Sequence, residues 1–418
     1  MSNLLREAWL FGRSRTALAA VLLLAGCAAA AVALGLASVE RDRAAIARML
    51  AGQPAEQAAL AAFVHDPGDG AYYGFQPTWD APTDLAFAAL GGRDIAPAML
   101  RVRALALEGQ LYENEAANPE LALPGRFDLA FVAVYLAPLV LIVLLHDLWS
   151  GEREAGRLFA LEATPGARWR LWAPRVAVRA GAVLLALLLP FAAGAALSGT
   201  APLRAVGFAG LLLLGCGFWT VLALLVARRS TSSAVNAAAL AALWFGLTLV
   251  LPAAAGLAIN AAVSVPDGAA MARENREEVH AGWDKPKAET MARFVAVYPE
   301  FADRAAAPET FSWKWYFAFQ HLGDLHVAVE SRAYRDGVAR RAELASMVGW
   351  FLPPAGVAQA MSALAGTDVA AQLAYQERIR AYHRLLRAFF YDYLFNNRPF
   401  GAADLGLMPR WQSVDGAP

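Results

Sequence analysis

Residues 129–145 read LAFVAVYLAPLVLIVLL and contain no charged side chain. A helix needs about 20 mostly apolar residues to cross the roughly 30 Å hydrocarbon core of a bilayer. The run is short for a span, but Asp128 and His146 flank it and suit the two headgroup layers. Four further apolar runs cover about 17–38, 180–197, 205–227 and 234–258. The sequence therefore predicts an all-α polytopic membrane protein with five transmembrane helices.

Composition supports a membrane protein and excludes several other classes. The 418 residues are 58% hydrophobic and only 17% charged, whereas soluble proteins average nearer a quarter charged. Because 36 basic residues balance 36 acidic ones, nothing indicates a nucleic-acid partner. Cys27 and Cys216 both lie in apolar runs, so neither a disulfide framework nor a thiolate metal site is expected. A soluble enzyme and a disulfide-rich secreted domain are both excluded.

Arginine placement predicts the orientation, because basic residues concentrate in short cytoplasmic segments. Three arginines precede the first span and six lie between the second and third, whereas the loop 199–204 contains Arg204 alone. The N-terminus is therefore expected in the cytoplasm. The predicted division is 1–15 cytoplasmic, 16–38 transmembrane, 39–126 extracytoplasmic, 127–148 transmembrane, 149–178 cytoplasmic, 179–258 three transmembrane helices and 259–418 extracytoplasmic.

Both large extracytoplasmic regions are predicted to be mainly helical, without strands. The pattern favours helices at about 40–64, 97–107, 268–298, 312–347 and 369–395. Residues 347–364 are a candidate sixth span, but Pro353-Pro354 interrupts them near the start. We therefore expect this segment to be buried or to lie at the interface.

Enzyme chemistry finds no support in the sequence. There is no Walker A motif and no lysine before Lys285, so the chain is not expected to bind ATP itself. His321 and His326 lie five residues apart, which is the wrong spacing for a zinc pair on one helix face. They are expected to be solvated surface histidines, and neither a metal nor a cofactor is predicted. Asp128 is expected to cap the start of its helix.

The most informative segment is the connection 146–158, HDLWSGEREAGRL. Ser150 can cap a short helix with Glu152 and Glu154 in its first turn. Leu158 and Leu161 then share a face, and Thr164-Pro165-Gly166 ends the helix. Such a helix could press into a groove on a soluble partner. The alternative, from periodicity alone, is a charged connector.

The order of these motifs resembles the ABC-2 type export permeases. The resemblance rests on the second span, the run Ser150-Gly151-Glu152-Arg153-Glu154-x-Gly156, and Ala163-Thr164-Pro165 after it. Arg6-Glu7-x-Trp9 is similar to the cytoplasmic elbow helix of that family. The large external loop and residues 127–131, 365–368, 380–383 and 399–411 resemble one subgroup, catalogued largely as a domain of unknown function.

Two local motifs and the span count depart from the family pattern. Arg157 stands where a threonine is usual, and Ala173-Pro174 replaces a common glycine-lysine, so the third span is expected to kink at its start. Five spans are predicted, where the family usually has six.

The resemblance implies a membrane subunit without an ATPase of its own, in a bacterial inner membrane. Its coupling helix would take up motion from a separate ATP-binding subunit, which would hold ATP and Mg. The residues implied are Ser150, Gly151, Glu152, Arg153, Glu154, Gly156 and Arg157. A second permease subunit, identical or paralogous, would pair through small-residue faces that include Gly207, Gly210 and Ala227. The function implied is export or mechanical transmission to a periplasmic client; the alternative is a polytopic receptor or assembly protein with no ATPase partner.

Overall fold

The computed structural model describes residues 3–91, 98–112, 127–229 and 232–412. It is 78% helical, and its described residues contain five helices long and apolar enough to cross a membrane, as hydropathy predicts. These are α2 (Arg15–Ala61), α5 (Leu129–Phe131, Val132–Leu136 and Ala137–Leu145), α8 (Arg168–Ser198), α9 (Pro202–Arg229) and α10 (Ser233–Ala262). The short helix α1 (Asn3–Gly12) precedes them.

Local signals fix where these helices begin and end. Ser14 caps α2 by accepting a hydrogen bond from the Ala17 amide. Asp128 caps α5 by accepting from the Phe131 amide at 2.8 Å, so the predicted cap is confirmed. Its other oxygen accepts from the Leu90 amide at 2.8 Å, which joins α5 to a distant turn.

Three of the long helices contain one π-helical turn each, and every such turn is followed by a proline. The turns are Val132–Leu136, Arg168–Trp172 and Gly246–Val250, and the prolines are Pro138, Pro174 and Pro252. A proline removes one amide donor and its ring displaces the carbonyl of the preceding turn, which a wider turn accommodates. The third helix is therefore irregular at its start, where Ala173-Pro174 led us to expect a kink.

The two ends of the helical bundle differ. At one end, called the connector end below, lie α1 and the short helices α6 (Ser150–Glu154) and α7 (Leu158–Glu162). The other, the domain end, holds most of the remaining chain. Its elements are α3 (Pro67–Tyr73), β1 (Gln76–Trp79), β2 (Met99–Val102), α4 (Leu107–Tyr112), α11 (Gly268–Ala281), α12 (Lys287–Val297), α13 (Trp313–His326), α14 (Ala328–Phe351), α15 (Pro353–Ala365) and α16 (Val369–Phe395).

Phe87 joins the domain end to the bundle. Its ring stacks on Phe191 at 6.2 Å, and small residues leave room for it between α2 and α8. A Cβ on Gly35 would lie 2.0 Å from the Phe87 carbonyl oxygen, and one on Gly194 would lie 2.5 Å from its ring. The two glycines therefore permit a close approach that any larger residue would block.

Several predicted elements differ from those observed. The helix expected at 97–107 is wrong: residue 97 lies outside the described residues, 99–102 form β2, and α4 begins only at Leu107. β2 pairs antiparallel with β1, Trp79 opposite Met99, so a partner strand 20 residues earlier overrides the local pattern. The helix expected at 40–64 is the continuation of α2.

The tail contains more breaks than its periodicity suggests. The single helix expected at 312–347 is wrong, because α13 ends at His326 and α14 begins at Ala328. The region 268–298 forms two helices separated by a turn before Pro286. Residues 347–364 do not form one helix, as Pro353-Pro354 led us to expect. α14 ends at Phe351, and α15 folds back along α9.

Candidate functional site

The connection between α5 and α8 folds as two helices of five residues rather than the single helix expected. α6 ends where the Gly156 amide donates to the Arg153 carbonyl at 2.9 Å. Gly156 has a φ of +71°, a left-handed conformation that ends a helix. The chain then restarts as α7 and turns again at Gly166, whose φ is +72°. The predicted end at Thr164-Pro165-Gly166 is confirmed.

Ser150 does not cap α6, so that expectation is wrong. Trp149 occupies the cap position without a side-chain bond, and the Ser150 side chain is fully buried. The Ser150 hydroxyl lies 2.8 Å from the Ser233 hydroxyl and accepts from the Asn236 amide at 3.2 Å. Asn236 also donates to the His146 carbonyl at 2.9 Å. Ser150 therefore fixes α6 against the first turn of α10.

Glu154 strengthens the same junction. Its carboxylate accepts from the Ser233 amide at 2.7 Å and from the Ser233 hydroxyl at 3.0 Å. A carboxylate at a helix N-terminus pairs free amides and interacts favourably with the helix dipole. α6 thus supplies part of the cap of α10.

Glu152 lies at the centre of a line of four charges. Its two oxygens accept from Arg157 Nε and Arg175 Nη1, each at 2.8 Å. Arg175 Nε lies 3.4 Å from Glu7 Oε2, and Glu7 is buried although it belongs to α1. The line Arg157–Glu152–Arg175–Glu7 therefore connects α6 to the start of α8 and to α1.

The two remaining residues of the motif lie on α6 itself. The Arg153 side chain is exposed, and Gly151 stands beside Asp147, where an added Cβ would make ordinary contact. All seven residues named from the sequence thus lie within one short segment. The sequence did not reveal the partners of this segment, because they lie tens of residues away: Glu7, Arg175, Ser233 and Asn236. Glu7 was singled out only as part of the predicted elbow helix.

α7 has one covered face and one open face. Leu158 and Leu161 pack against a small apolar cluster of Leu148, Leu171 and Trp172, which confirms that they share a face. Phe159 lies between them in sequence, and its side chain is 87% exposed. An exposed aromatic ring on a short, firmly held segment is a suitable contact for a partner protein.

Both His321 and His326 were predicted to lie on the solvated surface, and for one of them the prediction is wrong. His326 is exposed, 3.2 Å from Glu274, as predicted, but His321 is buried and its Nδ1 lies 2.9 Å from Arg387 Nη1. Burial, followed by the charge of Arg387, lowers the pKa of His321 to about 3, so the ring is neutral. Across the four described ranges, no group of three His, Cys, Asp or Glu could hold a metal ion.

The small residues named for subunit pairing have different surroundings. Gly207 faces Leu364 of α15, and Ala227 is fully buried within the chain. Ala227 is therefore covered by the chain itself, whereas Gly207 remains exposed beside Leu364. Nothing lies within 4 Å of the space that a Cβ on Gly210 would take.

The domain end contains a buried charged network that the sequence did not suggest. Arg380 donates to both oxygens of Glu108 at 3.0 Å, and the Ser331 hydroxyl donates to Glu108 at 2.9 Å. Burial alone would raise the pKa of Glu108, but the bonds and charge of Arg380 more than offset it, so that the pKa falls below its ordinary value. Asp324 and Arg387 form a second pair, 2.7 Å apart.

His383 lies beside this second pair. Its Nε2 is 2.9 Å from the Arg103 carbonyl oxygen. Burial, and then the charge of Arg387, hold the pKa of His383 well below its ordinary range. Arg380 and His383, singled out in the sequence only as a similarity, therefore belong to the core of the domain end.

Residues 269–413, about a third of the chain, match the model of a family described as a domain of unknown function, DUF3526. The match begins in α11 and covers all later described elements, including Asp324, Arg380, His383 and Arg387. No curated protein and no solved structure matches the chain. The chain is thus similar in its last third to a family whose description assigns no activity.

Proposed function

We propose that the chain is the membrane subunit of an ABC-2 type transporter, and that residues 150–162 take up motion from a separate ATP-binding subunit. The proposal rests on one combination of features. Hydrogen bonds and ion pairs join this segment to three helices, and Phe159 on its outer face is nevertheless 87% exposed. A connector without a partner needs neither such firm attachment nor an exposed aromatic ring.

The bonds define what a push on α7 would move. Glu154 and Ser150 hold the first turn of α10, Glu152 holds Arg175 of α8, and Arg175 in turn holds Glu7 of α1. Displacing the segment therefore displaces the starts of two long helices and the short helix that precedes a third. Packed elements of this kind move as bodies and shift between discrete arrangements.

The remaining parts of the proposal rest on the arginine placement and on the resemblance to ABC-2 type permeases. The connector end faces the cytoplasm of a bacterial inner membrane, where short arginine-rich segments concentrate. ATP and Mg are held by the partner ATPase, and a second permease subunit completes the transporter. The size of the domain end favours work outside the membrane, either export or mechanical transmission to a periplasmic client.

The test is co-purification with the ATP-binding subunit from the native membrane. Phe159→Ala removes a ring that is 87% exposed, so the complex should weaken while the chain stays folded. The matched control is Leu203→Ala, 84% exposed at the domain end, which should leave the complex intact. Glu152→Arg and Glu154→Arg should abolish the complex by breaking the attachment of α6.

Two results would contradict the proposal. Retention of the ATPase by Phe159→Ala, Glu152→Arg and Glu154→Arg together would exclude residues 150–162 as the contact. Absence of any P-loop ATPase from the wild-type preparation would favour a receptor or assembly protein instead.

A further inference from the structure

The turn between α14 and α15 lies beside α9, far along the bundle from the domain end, although it belongs to the tail. Residues 344–367 contain no charged side chain. α15 runs antiparallel to α9: Leu364 faces Gly207, and seven residues earlier Val357 faces Gly215. At the turn itself, Pro353 and its neighbour Pro354 line a small cavity with Phe218 and Trp219 of α9.

The position of these contacts along α9 gives the depth of the turn. Gly215 follows Pro202, the first residue of α9, by 13 residues, or about 20 Å of helix. The apolar run of α9, about 205–227, has its centre near residue 216. The turn therefore lies level with the middle of a helix long and apolar enough to cross a membrane.

We propose that the end of α14 and the whole of α15 form a re-entrant hairpin, which enters the hydrocarbon layer from the domain end and contacts lipid acyl chains through Trp350 and Phe351. This inference concerns the membrane itself and does not depend on an ATPase partner.

The exposed surface of the turn is what a lipid contact requires. Trp350 and Phe351 are each 85% exposed, although they are among the largest apolar side chains of α14. α14 packs beside α10, whose Leu251 and Leu257 are also exposed, so the two rings continue the apolar surface of the bundle. Rings of this size exposed together to water would be unfavourable, whereas acyl chains remove that cost.

The backbone of the turn is suited to an environment without water. The Leu352 amide donates to the Val348 carbonyl at 3.0 Å, and the Gly356 amide donates to the Leu352 carbonyl at 3.0 Å. A helix start normally leaves amides unpaired, but Pro353 and Pro354 have none to leave. The two prolines therefore leave no unpaired backbone amide at these positions, where one would be costly in hydrocarbon.

The two arms of the hairpin pack as membrane helices do. A Cβ on Gly356 would lie 2.4 Å from the Gly349 carbonyl oxygen, so the arms touch through two glycines. Gln359 donates to the Ala345 carbonyl at 3.2 Å, which pairs a polar side chain across the arms. Close glycine contacts and interhelical hydrogen bonds are both typical of helices in lipid. The small residues thus face inward and the large aromatic residues outward.

Site-directed spin labelling in phosphatidylcholine vesicles tests the proposal. In a Cys27→Ala, Cys216→Ala background, single cysteines are placed at Phe351, at Val329 and at Leu214. Val329 is an exposed residue on the same helix as Phe351, 22 residues earlier, which is about 33 Å away. Leu214 is an exposed residue near the centre of α9.

The label at Phe351 should behave like the label at Leu214, accessible to dissolved oxygen and shielded from a water-soluble nickel chelate. The label at Val329 should show the reverse. Before labelling, a charged maleimide should react at least roughly tenfold more slowly at position 351 than at 329, because a thiol in apolar surroundings stays protonated. Trp350→Cys serves as a second position if Phe351→Cys fails to fold.

Two outcomes would overturn the inference. Equal exposure of positions 351 and 329 to the nickel chelate would place the turn in water. Shielding of position 351 from both oxygen and the chelate, with dipolar broadening between labels, would mean that a second copy of the chain covers the turn.

Discussion

Replacing Arg380 by methionine should destabilise the domain end strongly, because the substitution leaves Glu108 buried without its partner. Arg380 Nε and Nη2 each donate to Glu108 at 3.0 Å, and Nη2 also donates to the Tyr112 hydroxyl at 3.2 Å. Removing one member of a buried ion pair costs about 3–5 kcal/mol of unfolding free energy. In a region of about 200 residues, that loss lowers Tm by roughly 6–20 °C.

The assay is thermal unfolding in detergent micelles, followed by tryptophan fluorescence. Arg384→Met is the matched control, because Arg384 lies one turn further along α16 with an exposed side chain, 3.9 Å from Glu377. An exposed pair of this kind contributes at most about 1 kcal/mol. Combining Arg380→Met with Glu108→Met should restore most of the lost stability, since neither member of this pair is then left buried without the other.

The pH dependence gives an independent check. In the wild type, Arg380 offsets the effect of burial and holds the pKa of Glu108 below 4.5. The stabilisation of the fold by this ion pair is therefore complete above pH 4.5 and is lost as the pH falls through the lowered pKa. In Arg380→Met, burial persists while the bonds and charge of Arg380 are lost, so the pKa of Glu108 should rise and the penalty for its buried charge should be relieved on acidification. The difference in Tm between the two proteins should therefore narrow from pH 7 towards pH 5.

The reasoning is refuted if Arg380→Met unfolds within about 1 °C of Arg384→Met at pH 7, which would correspond to less than about 0.5 kcal/mol. A Tm difference that widens on acidification would refute it equally.

Three further expectations concern single side chains. Asp128→Ala should cost about 1–2 kcal/mol in thermal unfolding, because two amides lose their acceptor, and Asp128→Asn should cost less. The pKa of His321 is lowered from 6.5 to about 3, so the wild type should lose stability as the pH falls from about 6.5 towards 3. His321→Gln should show a smaller loss when Tm is measured over the same pH range. If the turn before Pro353 lies in hydrocarbon, Phe351→Arg should cost about 2.5–3.5 kcal/mol in insertion and reduce the amount of protein in membranes, whereas Val329→Arg should not.

Features encoded by a few neighbouring residues were predictable from the sequence. The five apolar helices follow from hydropathy, and the Asp128 cap follows from a carboxylate placed at the start of an apolar run. The shared face of Leu158 and Leu161 follows from their spacing of three residues. Each of these signals can be read without knowing the rest of the fold.

Features set by distant partners were not predictable. Ser150 was expected to bond to its own helix, but its hydroxyl meets Ser233 and Asn236, more than 80 residues later. Glu108 and Arg380 lie 272 positions apart, and nothing near either one reveals the other. The sequence therefore singles out residues 150–162 as a candidate segment, while the bonds that hold this segment were visible only in three dimensions.

α2 continues without interruption for 47 residues, from the connector end to the core of the domain end. At 1.5 Å per residue, this is a rod of about 70 Å, and only its first part lies among the other long helices. A tilt of about 5° at Ser14 would carry Ala61 through roughly 6 Å, more than one turn of helix in pitch. Small rotations at one face of the molecule would thus be magnified at the other by leverage along one continuous helix, in which only Pro54, near the far end, lacks an amide donor.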